Sequence, residues 1–81
     1  MMNLKKNIAV SESGFLFDSN TGDSYSLNET GKLIVQMIKE NKTEGEIFTY
    51  FNEYYDVEEG IFENNYHDFI TMIKNLNIIE M

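Results

Sequence analysis

The apolar residues of this chain change their spacing once, near Leu27, and that change constrains the fold more than any other feature. Before Leu27 they alternate with polar residues in short runs, which is the spacing of half-buried β-strands. After Leu27 they recur three and four positions apart almost to the end, which is the spacing of amphipathic helices. The sequence therefore predicts an α+β domain in which a three-stranded antiparallel sheet precedes three helices.

The first two strands follow from spacing and from turn residues. Leu4, Ile8 and Val10 lie two or four positions apart, so we expect them on one face of the first strand. Residues 11–14 contain serines and a glycine that suit a turn, and the apolar residues 15–17 form the second strand.

The third strand is expected to lie at an open edge of this sheet. It covers residues 23–27 and follows a loop at residues 18–22, whose side chains cap turns or tolerate left-handed backbone. Tyr25 and Leu27 share one side of the strand, and its serines share the other. The sequence offers no fourth N-terminal strand, so one edge is left unpaired.

The first two helices have recognisable ends. Asn28 or Thr30 suits the cap of the first helix, which we expect to end near Asn41. Thr43 and Glu46 have the spacing of a capping box, which predicts the start of the second helix.

The third helix is predicted to be the longest element, with Asp56 and Glu59 as its capping residues. Residues 77–80 after it form a short strand or cover the core. The residues that define the first amphipathic helix are Leu33, Ile34, Met37, Ile38 and Asn41. The apolar stripes of the other two helices are Ile47, Tyr50, Phe51 and Tyr54; and Phe62, Tyr66, Phe69, Ile70, Ile73 and Leu76.

Composition narrows the class of protein. Hydrophobic residues make up 42% of the 81 residues, which suits one small globular domain. The chain has no cysteine, which excludes disulfides and favours the cytoplasm, and it has no apolar segment long enough for a signal peptide or a membrane span. Fourteen acidic residues against six basic ones give a net charge of −8, which disfavours nucleic acid. The charge indicates either a basic partner or only the solubility of a small domain.

Several short motifs, in their order along the chain, are typical of one family. A D-x-x-T-G loop is followed by Y-x-L-N-x-x-G, and further pieces continue almost to the end of the chain. The chain resembles the PqqD-like family, the precursor-peptide recognition domains of ribosomal peptide pathways. The family usually has glycine where this chain has Asn77, which also tolerates left-handed backbone. The matching residues are Asp18, Thr21 and Gly22; Tyr25, Leu27, Asn28 and Gly31; Thr43, Glu46 and Ile47; Tyr55, Asp56 and Val57; Phe69 and Ile70; and Leu76, Ile78 and Ile79.

This resemblance implies a fold and a function. The fold would be winged-helix-like, formed by a single domain over residues 1–81, with no catalytic residues, metal or cofactor. The leader of a precursor peptide would add as a strand to the third strand and lie against the third helix. The domain would then present the precursor to a maturation enzyme, either a radical S-adenosylmethionine protein or a leader peptidase.

The candidate peptide-binding residues form two groups and a rim. An apolar stripe at helical spacing is more often core than binding surface, so we expect only one or two of the apolar helix residues to contact a peptide. The edge residues are Asp23, Ser24, Tyr25, Ser26 and Leu27; the groove residues are Tyr66, Phe69, Ile70 and Ile73; the polar rim consists of Asn65 and Asp68.

Other functions remain open at this point. Gly22, Asp23 and Ser24 imitate the phosphopantetheine site of an acyl or peptidyl carrier protein, although Ser24 falls in a predicted strand rather than at a helix start. A winged-helix DNA-binding domain would have the same order of elements, but no helix has a basic face. His67 has no catalytic partner in the sequence, and residues 18–23 match only the first half of a calcium loop.

Overall fold

The protein is α+β, as predicted, with its strands near both ends of the chain. A computed structural model describes residues 2–55 and 58–80. The elements in chain order are β1 (Asn3–Leu4), β2 (Ile8–Val10), β3 (Phe15–Asp18), β4 (Ser24–Ser26), α1 (Glu29–Lys39), α2 (Glu44–Tyr54), α3 (Glu59–Asn75) and β5 (Ile79–Glu80).

The predicted three-stranded antiparallel sheet is formed by β2, β3 and β4, with β3 in the middle. The prediction that Leu4 shares a strand with Ile8 and Val10 is wrong. Leu4 lies in β1, which pairs with β5 in a separate two-stranded sheet. The amide of Ile8 donates to the carbonyl of Lys5 at 3.0 Å, so the chain turns between β1 and β2.

Local capping sets the ends of the helices. The Asn28 side chain accepts a hydrogen bond from the Gly31 amide at 2.8 Å and caps α1. Both bonds of the predicted capping box are present, since the Glu46 amide donates to Thr43 Oγ1 at 3.1 Å and the Thr43 amide donates to Glu46 Oε1 at 2.9 Å. Asn77 has a φ of 60°, so the left-handed backbone expected there is confirmed.

The start of α3 differs from its prediction. The capping residue is Glu58, whose side chain makes no capping bond, and Glu59 is the first helical residue. The expected cap at Asp56 lies outside the described residues.

The core lies among the three helices and is covered by both sheets, since Leu16 of β3 and Ile79 of β5 are both buried in it. Leu16 is the fully buried residue that the three-stranded sheet contributes. Tyr54, which the helical spacing assigned to the apolar stripe of α2, is 66% exposed, whereas Val35 is fully buried although the predicted stripe omitted it. The buried apolar residues are Met2, Leu16, Ile34, Val35, Ile38, Ile47, Phe51, Tyr66, Ile70, Ile73, Ile78 and Ile79.

The loop between β3 and β4 is organised by a buried carboxylate. One oxygen of Asp18 accepts from Asn7 Nδ2 at 2.7 Å and from the Asn20 amide at 2.9 Å. Gly22 has a φ of 79°, the left-handed conformation that the loop composition predicted. Asn7 immediately precedes β2, so the Asp18 side chain connects the loop between β3 and β4 with the start of β2.

The capping box gives a stability prediction. Thr43→Ala removes the side-chain oxygen that accepts from Glu46, and we expect it to lower the free energy of unfolding by about 1 kcal/mol. Thr49→Ala, at an exposed site inside α2, is the matched control and should change stability by less than about 0.5 kcal/mol. Urea unfolding measures both; an equal effect of the two substitutions would contradict the role of the cap.

Asp18 predicts a dependence of stability on pH. The Asn7 hydrogen bond holds the pKa of Asp18 below its ordinary value of 3.8; burial opposes this shift, and the Asn20 amide adds to it. The stability gained from the charged form is therefore present above the unfolded-state pKa and is lost as the pH falls through the lower folded-state pKa. Asp18→Asn retains an acceptor oxygen but no charge. The stability gap between wild type and this variant should narrow as urea unfolding is repeated from about pH 6 down to about pH 2; a constant gap would contradict the assignment.

Candidate functional site

The outer edge of β4 has main-chain groups available for another strand. The Leu27 amide donates to the Gly14 carbonyl at 2.8 Å, so residues 14 and 27, which precede β3 and follow β4 respectively, form a hydrogen-bonded pair with each other. Such pairs alternate along an antiparallel ladder, so Tyr25 bonds to Leu16, while the amides and carbonyls of Ser24 and Ser26 point away from β3. No strand within residues 2–55 and 58–80 pairs with that edge.

The side chains of β4 divide as the sequence predicted. Ser24 and Ser26 are exposed, whereas Tyr25 and Leu27 are half-buried and pack against the core. The Asp23 carbonyl accepts from the Asp18 amide at 2.9 Å, so both ends of the strand are bonded to β3. The free edge therefore has a fixed position on the domain.

A cavity of about 530 Å³ adjoins the end of β4, between the first turns of α1 and the first half of α3. Asn28, two residues after β4, lines it at the α1 side. Among the described residues, the lining consists of Asn28, Thr30, Gly31 and Ile34 from α1 and its cap, and Glu58, Ile61, Phe62, Asn65, Tyr66 and Phe69 from α3 and its cap.

The two walls of the cavity meet where α3 contacts the backbone of α1. Gly31 is buried, and a Cβ atom built on it would lie 3.1 Å from Cε1 of Phe69 and 3.1 Å from the capping oxygen of Asn28. Both distances are shorter than an ordinary van der Waals contact. The absence of a side chain at Gly31 is therefore what lets the Phe69 ring lie against α1.

Aromatic contacts fix the α3 wall from behind. The ring of Phe62 lies 4.8 Å from that of Phe51 and 5.8 Å from that of Phe48, and the ring of Tyr66 lies 5.0 Å from that of Phe48. The Tyr66 hydroxyl is buried, and no group within residues 2–55 and 58–80 forms a hydrogen bond with it. Burial raises the pKa of Tyr66 to about 12, with a smaller contribution from the charge of Glu44, so this hydroxyl stays protonated at neutral pH.

The cavity brings together half of the predicted helix residues. Asn65, Tyr66 and Phe69 line it. Ile70 is 8% exposed and Ile73 is fully buried, so both are core residues that support α3 from beneath. Asp68 is exposed and is not part of the lining.

The α1 wall of the cavity and the first turn of α3 were not among the binding residues predicted from the sequence. A signal for the second was present, because positions 58, 61, 62, 65, 66 and 69 recur at helical spacing. The α1 wall had no such signal, since its capping residues were assigned only to helix formation. Of the lining residues in 2–55 and 58–80, Glu58 carries a charge, and it makes its part of the cavity wall negative.

The other candidate sites gain no support from the structure. Ser24 lies within β4, not at the start of a helix, which is where a carrier protein needs its phosphopantetheine serine. His67 is exposed and contacts the rings of Phe48 and Tyr66. In the part of the chain that the structure describes, no three His, Cys, Asp or Glu residues group as metal ligands. None of its helices has the length and apolar character to cross a membrane.

Comparisons with known proteins agree with this geometry. No curated protein matches the sequence. A solved structure described as "Lasso peptide synthetase B1 complexed with the leader peptide" has the same fold: the TM-score is 0.86 at 24% identity, and the match covers 99% of this chain and 98% of that chain. Residues 13–79 match the family described as Coenzyme PQQ synthesis protein D (PqqD). Since this match includes most of the sequence, the protein belongs to the PqqD family.

Proposed function

We propose that this protein is a non-catalytic recognition domain that binds the leader of a ribosomally synthesised precursor peptide by strand addition to β4. The observation that carries the proposal is the unpaired edge of β4 next to the cavity between α1 and α3, in a chain of the PqqD family. The family match supports recognition of a leader in the biosynthesis of peptide natural products.

Main-chain bonding supplies one part of the proposed affinity. Ser24 and Ser26 together offer two amides and two carbonyls on the free edge, which suffice to bond a short extended peptide. Because their side chains are small and exposed, a leader strand approaches without steric conflict on that face. This part of the interaction does not depend on the leader's sequence.

The cavity supplies the selective part. Side chains of an added strand alternate, so those on the inner face of the sheet point towards the helices, and one of them enters the space beside Phe69 and Ile61. We infer that this side chain is apolar, since these residues, Ile34 and Phe62 form most of the wall. Glu58 and the exposed Asp68 favour a lysine or arginine nearby in the leader.

The remaining predicted residues have a supporting role in this proposal. Asn65 is one of the polar residues that line the cavity, while Tyr66, Ile70 and Ile73 hold α3 in position from within the core. Tyr25 and Leu27 anchor the inner face of β4, and Asp23 anchors its first residue.

The partner enzyme belongs to the proposal as well. By binding the leader, the domain raises the local concentration of the precursor at a maturation enzyme, either a radical S-adenosylmethionine protein or a leader peptidase. The solved structure with the same fold is described as a complex with a leader peptide, which supports a leader as the ligand of this domain. A winged-helix-like description of the fold, a single domain over residues 1–81 and a cytoplasmic location complete the proposal.

Ser26→Pro tests strand addition directly. The Ser26 amide points away from β3, so proline removes a donor from the free edge without removing a bond of the β3–β4 ladder. We expect fluorescence-polarisation titration with leader peptides from precursors encoded beside the domain to show binding weakened about tenfold or more. Ser26→Ala keeps the amide and is the control; it should bind as the wild type does.

Two results would count against this function. Equal leader affinity of Ser26→Pro and the wild type would exclude bonding at this edge. Absence of binding by the wild type to any adjacent leader would exclude the recognition function itself. Thermal unfolding of each variant separates a local loss of binding from loss of the fold.

Gly31→Ala tests the cavity. The added methyl group would lie 3.1 Å from Phe69 Cε1 and 3.1 Å from the capping oxygen of Asn28, so the ring and the cap must shift by a few tenths of an ångström. We expect the free energy of unfolding to fall by about 1 kcal/mol and leader affinity to fall with it. Gly45→Ala, in the first turn of α2, has open space around the new methyl group and should leave affinity unchanged while stabilising the domain by up to about 1 kcal/mol. Urea unfolding and leader titration measure both effects; equal leader affinities would contradict the cavity assignment.

A further inference from the structure

The outward face of the three-stranded sheet has two exposed aromatic residues with no function in the site described above. Phe15 is 53% exposed and Phe17 is 45% exposed, and both lie on the outer side of β3, opposite the buried Leu16. Isolated exposed apolar residues are common, but two neighbours on one face of a central strand form a continuous patch.

The residues around this pair are small. Ala9 of β2 lies opposite Phe17, and Ser24 and Ser26 of β4 lie opposite Phe17 and Phe15. All three flanking side chains are exposed. The two rings therefore project from a flat surface, defined here as the aromatic face: Ala9, Phe15, Phe17, Ser24 and Ser26.

The aromatic face is continuous with the proposed leader edge. The main chains of Ser24 and Ser26 form that edge, while their side chains belong to the aromatic face. A leader strand added beside β4 would extend the sheet, and every second leader side chain would lie in the same plane as these serines. A protein that covered the aromatic face would thus contact the domain and its bound leader together.

The charge around the face indicates the chemistry of its partner. From residue 7 to residue 31 the chain has no lysine or arginine, while Glu12 and Asp23 are exposed near opposite ends of the sheet. Lys32 approaches from α1 beside Gly14, and it is paired with Glu29 at 3.8 Å. A partner with an apolar centre and a rim of lysine or arginine would match this surface.

We propose that the aromatic face is the docking surface for the maturation enzyme, a protein with an apolar, basic-rimmed patch that binds the leader-loaded domain. The inference rests on the proposed function for its choice of partner. A second copy of this chain fits less well, because two faces with the same acidic rim would repel each other when stacked.

The test separates docking from leader binding. Phe15→Thr/Phe17→Thr removes both rings and keeps residues that favour β-strands, and Tyr54→Gln removes an exposed aromatic ring from α2 as the control. Leader affinity is measured by fluorescence polarisation. Affinity for the maturation enzyme encoded beside the domain is measured by biolayer interferometry, with and without leader.

We expect the paired substitution to leave leader affinity within about twofold and to weaken enzyme binding about tenfold or more, while Tyr54→Gln changes neither. Enzyme binding by the wild type should be tighter with leader present. Unchanged enzyme affinity of the paired variant would overturn the proposal, as would a wild-type dimer in sedimentation that the same substitutions dissociate. If the wild type binds no leader, the recognition function fails, and docking is still decided by the enzyme measurement.

Discussion

Side chains alternate across β3, and this alternation separates the core side of the domain from its outward side. Leu16 packs among the helices, while Phe15 and Phe17 face outward. Since β4 is bonded to β3 in a fixed register, the same alternation directs Tyr25 to the core and the main-chain groups of Ser24 and Ser26 to the free edge. A shift of one residue in this register would reverse every one of these directions, so the position of the candidate site depends on β3.

The cavity depends on a second contact, between α1 and α3. Gly31 has no side chain, and the Phe69 ring occupies the space where one would lie. The rings of Phe48 and Phe51 each contact the ring of Phe62 behind this wall, which limits its movement. The result is a preformed space beside a preformed edge. In the proposed function, the peptide becomes ordered on binding but the site already has its bound shape, which reduces the entropic cost of binding.

Local structure was predictable because its signals are local. The capping box at Thr43 and Glu46 was predicted correctly, Asn28 was one of the two caps expected for α1, and Asn77 has the left-handed backbone that asparagine tolerates; each depends on neighbours within a few positions. The pairing of β1 with β5 was missed, because Leu4 finds its partner at Ile79, on the other side of all three helices. Tyr54 has the spacing of a core residue and is exposed, because helical spacing does not show which residues of a stripe another element covers.

The sequence by itself determined the α+β class, the three-stranded sheet followed by three helices, the family and the strand that forms the free edge of the sheet. Alternation, helical spacing and capping express these properties along the chain, so no knowledge of distant contacts is required. Only the tertiary structure decided which residues of α3 remain accessible: Phe69 and Asn65 line a cavity, whereas Ile73, on the same helix and equally apolar in pattern, is fully buried. The reason is physical, because periodicity shows which side of a helix is apolar, and burial depends on what packs against it.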